Sequence, residues 1–192
     1  MTIIQELINI MEGYVGDRDI EVEDIRIGVF YTAAKLSTGD AGVAFTPRDL
    51  EDTVCCPRSA AKMPASGKLK GSKALELIKM AESDSSMKRS VGVAVLNALS
   101  ALMMREKGFK EARILKGADA LEVIEIKKED RVAMVGSFVP FIKTLKGKAK
   151  ELCIIDKHPQ ALKEEERFMW RDPLYIREVM PQADIVIITG SS

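Results

Sequence analysis

The chain has 192 residues, with 29 Lys plus Arg against 29 Asp plus Glu, 46% hydrophobic and 30% charged residues. At roughly 150 residues per domain this holds one large domain or two small ones, and the globular composition excludes wholesale disorder, collagen-like repeats and a coiled coil. Charge balance leaves no global field for a nucleic-acid backbone or an anionic membrane, and no export signal or apolar run of about 18 residues is present, so a cytoplasmic protein with neither partner is expected. Three cysteines and one histidine, His158, make neither a disulfide framework nor a tetrahedral zinc layout.

Ile3, Ile4, Leu7, Ile8, Ile10 and Met11 recur at helical spacing, and Gly13 stands where a helix would stop. The β-branched and aromatic run from Asp24 to Thr32 and the run Gly42–Thr46 flank the turn signal Ser37-Thr38-Gly39-Asp40, which predicts an antiparallel hairpin. A helix over Ser72–Met80 closes a small α+β unit near residue 84. Ser83-Asp84-Ser85-Ser86 then supplies N-caps for a long helix, about 87–107, ended by Gly108. Its apolar positions run most of the way round, as in a helix sandwiched between layers, and it is expected to connect the two halves. Asn97 within it needs a partner, either as a fastening to a loop or at a cleft.

Beyond Asp119–Ile126, which fits a short helix or a strand equally, Arg131–Val135 and Glu151–Ile155 read as short buried strands around a helix through Phe141 and Leu145. Lys157–Arg171 reads as a solvated charged face. Asp172-Pro173 caps a further helix, and Asp184–Gly190 is a third strand. These make half of a doubly wound parallel sheet. The sequence stops at Ser191-Ser192, directly after that strand, so either it is truncated or a partner covers the edge.

In such a sheet, ligands gather beyond the carboxyl ends of the strands. Three tips follow. Gly136-Ser137-Phe138-Val139-Pro140 could bring backbone amides to an anion or be a plain glycine turn; it is not a Gly-x-Gly-x-x-Gly fingerprint. Asp156, about 20 residues after Gly136, stands where a carboxylate accepts from ribose hydroxyls, or it is a loop cap. Thr189-Gly190-Ser191 could line the same crevice. Cys55-Cys56 with His158 suggests a metal, but adjacent thiols diverge and are more often incidental. With one histidine and no Gly-x-Ser-x-Gly elbow, a hydrolase is not expected.

Four segments, Ile27–Ala33, Val91–Ala98, Val132–Pro140 and Ala183–Ser191, resemble the putative heavy-metal chelation family over nearly the whole chain. The resemblance implies an α/β protein with an enolase N-terminal-like α+β domain over 1–84 and a Rossmann-like three-layer α/β domain with a parallel sheet over 85–192. It also implies a small polar ligand or metal chelate in a cleft between them. Gly136, Ser137 and Phe138 would form the floor, Asp156 would accept hydrogen bonds, and Thr189, Gly190 and Ser191 would close one side. Tyr31 and Thr32 would reach in from the first domain. The rival is a nucleotide-cofactor enzyme, an S-adenosylmethionine methyltransferase or NAD-type oxidoreductase, with Asp156 on the ribose. A third alternative completes the last strand edge by homo-oligomer formation. The reaction, the catalytic residues and any cofactor stay unassigned.

Overall fold

The computed structural model describes residues 2–47, 64–65, 67–108 and 113–189. Packing divides the chain into two units, Met1–Arg113 and Ile114–Ser192, each with its own apolar core.

The first unit opens with α1 (Ile3–Val15). The Gln5 N–H donates to the Thr2 hydroxyl and the Thr2 N–H to the Gln5 side chain, at 3.2 and 2.8 Å, a capping box that satisfies two donors the first turn leaves free. The helix does not stop at Gly13. Val15 extends its buried face, and Gly16 turns the chain at φ 56, which glycine adopts without a Cβ clash.

Strands β1 (Val22–Ile27), β2 (Tyr31–Leu36) and β3 (Ala41–Phe45) form an antiparallel sheet in that order. The run expected as one strand through Thr32 is therefore two, folded at Gly28–Phe30, where the Gly28 N–H donates to the Tyr31 carbonyl at 2.9 Å. Its apolar character conceals the turn because Val29 and Phe30 are exposed rather than core residues.

Helix α2 (Ala74–Ile78) continues as a 3-10 turn over Lys79–Glu82 and leads into α3 (Ser86–Lys107), which is capped by Ser85 and ended by Gly108. Helix α3 is sandwiched as expected, but both layers belong to the first unit: β2 and β3 on one side, α1, α2 and the 79–82 turn on the other. The boundary expected near residue 84 accordingly moves to Arg113. Two glycines let α3 approach its neighbours. A Cβ on Gly92 would lie 2.1 Å from the Ala81 nitrogen, and one on Gly42 in β3 would lie 2.3 Å from the Ala98 nitrogen. Asn97 fastens helix to strand, donating to the Val43 carbonyl at 2.8 Å, and the Ser90 hydroxyl donates to Phe45 at 2.9 Å. Two carbonyls of the edge strand β3 are satisfied in this way.

At the far end of α3, Arg105 grips Asp40 with two hydrogen bonds of 2.9 and 2.8 Å. That fork holds the Asp40 carboxyl down at about 2, burial opposing it and the Thr38 hydroxyl assisting. A depressed folded pKa stabilises above the unfolded value, near 4, and the contribution disappears as pH falls through the folded value. Arg105 is 57% exposed, so solvent screens the pair; Asp40→Asn is expected to cost about 1 kcal/mol at neutral pH. Urea titrations at stepped pH should show wild type and variant converging as pH drops from about 4 toward 2.

The second unit begins with α4 (Ala120–Val123), capped by the Asp119 side chain on the Leu121 N–H at 2.8 Å, which settles the ambiguous segment as a helix. Then follow β4 (Arg131–Val135), α5 (Val139–Leu145), β5 (Glu151–Ile155), β6 (Trp170–Arg171), α6 (Ile176–Val179) and β7 (Ile185–Ile188). All four strands are parallel, in the order β6-β5-β4-β7. The charged side chains of Lys157–Arg171 are solvated as expected, Glu166 excepted, but the segment also contributes to the core. It folds into 3-10 turns that bury Leu162 and Met169, and Trp170-Arg171 adds a fourth strand beside β5.

The sheet faces differ. Val132, Met134, Leu152, Ile154 and Ile187 pack with Ile142 and Leu145 of α5, and each such fully buried aliphatic side chain is worth about 1.5–3 kcal/mol. Alternate positions, including Arg131, Ala133, Glu151, Cys153 and Arg171, share the opposite face by register. No helix among the described residues is long and apolar enough to cross a membrane.

Candidate functional site

The strand order carries a feature that strand composition alone does not reveal. From β4 the chain steps outward to β5 and β6, then returns to place β7 on the other side of β4. The carboxyl ends of β4 and β7 therefore flank the point where the winding reverses, where open parallel sheets leave a crevice. The loops there are knitted together. The Thr189 N–H donates to the Val135 carbonyl at 3.0 Å and the Gly136 N–H to the Ile155 carbonyl at 2.9 Å. Gly136 turns at φ 87, a conformation that a Cβ would strain.

Asp156 is the hub of this end of the sheet. Its Oδ2 accepts from the Ser137 N–H at 2.8 Å and its Oδ1 from the His158 N–H at 2.9 Å, while its carbonyl accepts from the Trp170 indole at 2.7 Å. Burial is the largest influence on the carboxyl and pushes its pKa up. The His158 and Ser137 hydrogen bonds together outweigh it and hold the group below the usual carboxylate range. Asp156 is thus a fixed anion at neutral pH. Ser137 also brings its hydroxyl near the carboxylate, contributing to that depression. Its Oγ is nevertheless buried and out of hydrogen-bonding geometry with any partner, which makes it a spare polar atom beside the charge.

The same geometry decides against the amide cradle considered for Gly136–Pro140. The Ser137 N–H that an incoming anion would use is already taken by Asp156, and Pro140 has no N–H. Phe138 precedes α5 without capping it, 44% exposed, its ring edge-on to Phe141 at 4.8 Å between centroids.

Gly136, Ser137, Asp156 and Thr189 are thus brought to one end of the sheet, with Phe138 beside them. Gly190 and Ser191 lie outside the described residues, as do Cys55 and Cys56. Tyr31 and Thr32 are neighbours in β2 and point to opposite faces: Tyr31 is exposed, whereas Thr32 is fully buried with its hydroxyl 3.0 Å from that of Thr46. Thr32 therefore holds strand to strand, and its hydroxyl is not open to a ligand. Trp170 is the residue of the site that sequence reasoning missed. As the lone tryptophan amid charges, it was the available signal. Among the described residues no group of three or more His, Cys, Asp or Glu side chains could hold a metal ion.

Two family models match this chain, one after the other. One, DUF4213, described as "Putative heavy-metal chelation", matches residues 8–100, and a second with the same description, DUF364, matches residues 119–192. The chain belongs to the putative heavy-metal chelation family. Among solved structures, a DUF364 protein of unknown function from Pyrococcus horikoshii is 20% identical with a TM-score of 0.63, covering 97% of this chain and 67% of its own. Another, from Desulfitobacterium hafniense DCB-2, is 17% identical with a TM-score of 0.62, covering 98% of this chain and 70% of its own. At these identities the likeness is one of fold. No curated protein matches the chain. The heavy-metal chelation family thus comes with a description and a mixed α/β architecture, and with no established reaction or ligand.

Proposed function

We propose that this protein binds a small polar ligand at the winding reversal of its parallel sheet, and that the ligand approaches Asp156 with hydrogen-bond donors or positive charge. The single supporting observation is the state of Asp156: a carboxylate kept ionised, positioned by two amides, with a buried unpartnered hydroxyl beside it. A carboxylate offers about four lone-pair directions, so two bonds still leave room for a ligand. The family description favours a metal chelate. One carboxylate and one hydroxyl do not fill a coordination sphere, so most donors would come from the chelating molecule. Gly136 gives close backbone approach, Phe138 an apolar wall, and Thr189 the opposite side.

The spacing of Asp156 from Gly136 favours a second occupant, the ribose of an adenosyl or nicotinamide cofactor, as in a methyltransferase or an oxidoreductase. Occupation of the Ser137 amide counts against the pyrophosphate of the latter.

A thermal-shift panel separates these: nickel and cobalt citrate and histidine chelates, S-adenosylmethionine and NAD. A ligand at a hundredfold excess over its Kd should add about 2.7 kcal/mol of stability. Ser137→Ala is the informative variant: its hydroxyl lies beside the carboxylate and helps to lower its pKa, so the ligand-induced shift is read against the variant's own ligand-free melting temperature. That shift should shrink, corresponding to roughly tenfold weaker binding for one lost hydrogen bond. A chelate shift that Ser137→Ala leaves intact would rule out this site, and a shift confined to S-adenosylmethionine would select the cofactor.

A further inference from the structure

The face of the parallel sheet turned away from α5 carries a second concavity, separate from the strand ends. It encloses about 220 Å³ between the sheet and the α6 segment, lined from Arg131 in β4 to Ala183 before β7. Its floor is small and partly apolar: Ala133 and Cys153 are register partners on adjacent strands. At one end Arg131 and Glu151, also register partners, approach to 3.9 Å and largely cancel each other.

The remaining charges are not cancelled. Arg171 and Glu178 both line the cavity, and among the described residues neither forms an ion pair, with each other or with any other group. Arg171 is held in place, its Nη1 donating to the Phe168 and Trp170 carbonyls at 3.0 and 2.8 Å, which leaves the rest of its planar fork for a carboxylate. Gln182 is fixed too, its Nε2 donating to the Glu178 carbonyl at 2.9 Å, so that its amide oxygen is left to accept. The Tyr175 ring contributes a further wall.

One positive and one negative group, unpaired over a shallow apolar floor, fit a molecule with the opposite pair. We propose that this cavity binds a free α-amino acid, its carboxylate on Arg171 and its ammonium on Glu178, with a side chain directed to the Ala133 and Cys153 floor. The volume supports that size, being below the roughly 300–1,000 Å³ of sites for drug-sized ligands. The charged rim is largely exposed, so millimolar affinity is expected, since rim charges in water gain little. The site is independent of the one proposed at the strand ends.

Cys153 provides the readout. It is half-buried on the cavity floor, so an occupant should shield it from iodoacetamide. Burial first, and Glu151 with it, keep the thiol pKa raised against the pull of Arg171, so labelling is done at mildly alkaline pH and followed on the Cys153 peptide by mass spectrometry. Each of the twenty amino acids is tested at millimolar concentration beside its N-acetyl derivative and its decarboxylated amine. At least one amino acid should slow Cys153 labelling while its N-acetyl and amine counterparts do not, and Glu178→Gln should weaken that protection about tenfold, each protein being measured against its own ligand-free labelling rate. Equal protection by the N-acetyl compound, or none by any amino acid, overturns the proposal. If Cys153 in the free protein resists labelling, isothermal titration with the same compounds decides by the same criteria.

Discussion

Gly92→Ala is expected to destabilise the first unit by about 3 kcal/mol or more, at the upper end of what overpacking a core produces. The added methyl would stand 2.1 Å from the Ala81 nitrogen, 2.6 Å from the Met80 carbonyl carbon and 2.8 Å from the Ala81 Cα. These are backbone atoms of the turn after α2, so no side chain can rotate away. Relief requires α3 to lift, and α3 carries the fully buried Val91, Val95, Leu99 and Leu102 of that core. Alanine's better helix propensity returns only about 1 kcal/mol. Gly42→Ala should be comparably costly from the sheet side, where the methyl would meet the Ala94 carbonyl oxygen at 2.4 Å. Gly13→Ala supplies the opposite sign. It lies in α1 with nothing within 4 Å of an added Cβ, so a gain of roughly 0.5–1 kcal/mol is expected. Urea midpoints of the three variants check the ordering; equal effects at Gly92 and Gly13 would mean that the close approach of α3 is absent in solution.

Those two glycines also mark where sequence reasoning stops. Helix α3 was legible from its caps and its all-round apolar surface, but which layers enclose it depends on contacts to β3 and to the turn after α2, residues far apart in the chain. Nothing in Val91-Gly92-Val93 by itself says which backbone passes there. Strands β4 and β5 were legible to the residue because each is a short apolar run ended by a turn residue. The turn at Gly28–Phe30 was hidden because exposed Val29 and Phe30 look like strand residues. Strand β6 was hidden because two residues establish no period, and its order beside β5 follows from Trp170 pairing with Ile154. The candidate site divides in the same way. Asp156 and Gly136 could be named from their positions at strand ends, whereas the placement of β7 beside β4, which makes those ends a crevice, is a property of sheet order. The occupation of the Ser137 amide by Asp156 is likewise tertiary, and it reverses the expected polarity of the loop: a segment whose amides were considered for an incoming anion already holds an internal one.

That internal anion is the second large effect. Asp156→Ala should cost the second unit about 2–4 kcal/mol, since it removes two charge-assisted hydrogen bonds and strands the Ser137 and His158 amides. The sharper comparison is Asp156→Asn. It preserves shape, but one oxygen becomes an NH2 group, so whichever way the amide turns a donor faces a donor. It should therefore be within about 1 kcal/mol of Asp156→Ala, whereas at a site that needed only volume it would be harmless. The pH dependence follows from the depressed folded pKa: the stabilisation is complete above the unfolded value, near 4, and is lost as pH falls through the folded one. Wild type and Asp156→Asn should thus differ most at neutral pH and draw together in acid. Hydrogen exchange at the Ser137 and His158 amides gives the residue-level check, with faster exchange in the variant at neutral pH and little difference in protection once the wild-type carboxyl is protonated. Unchanged protection of both amides in Asp156→Asn would show that the loop is held by something other than this carboxylate, and the ligand site built on it would fall as well.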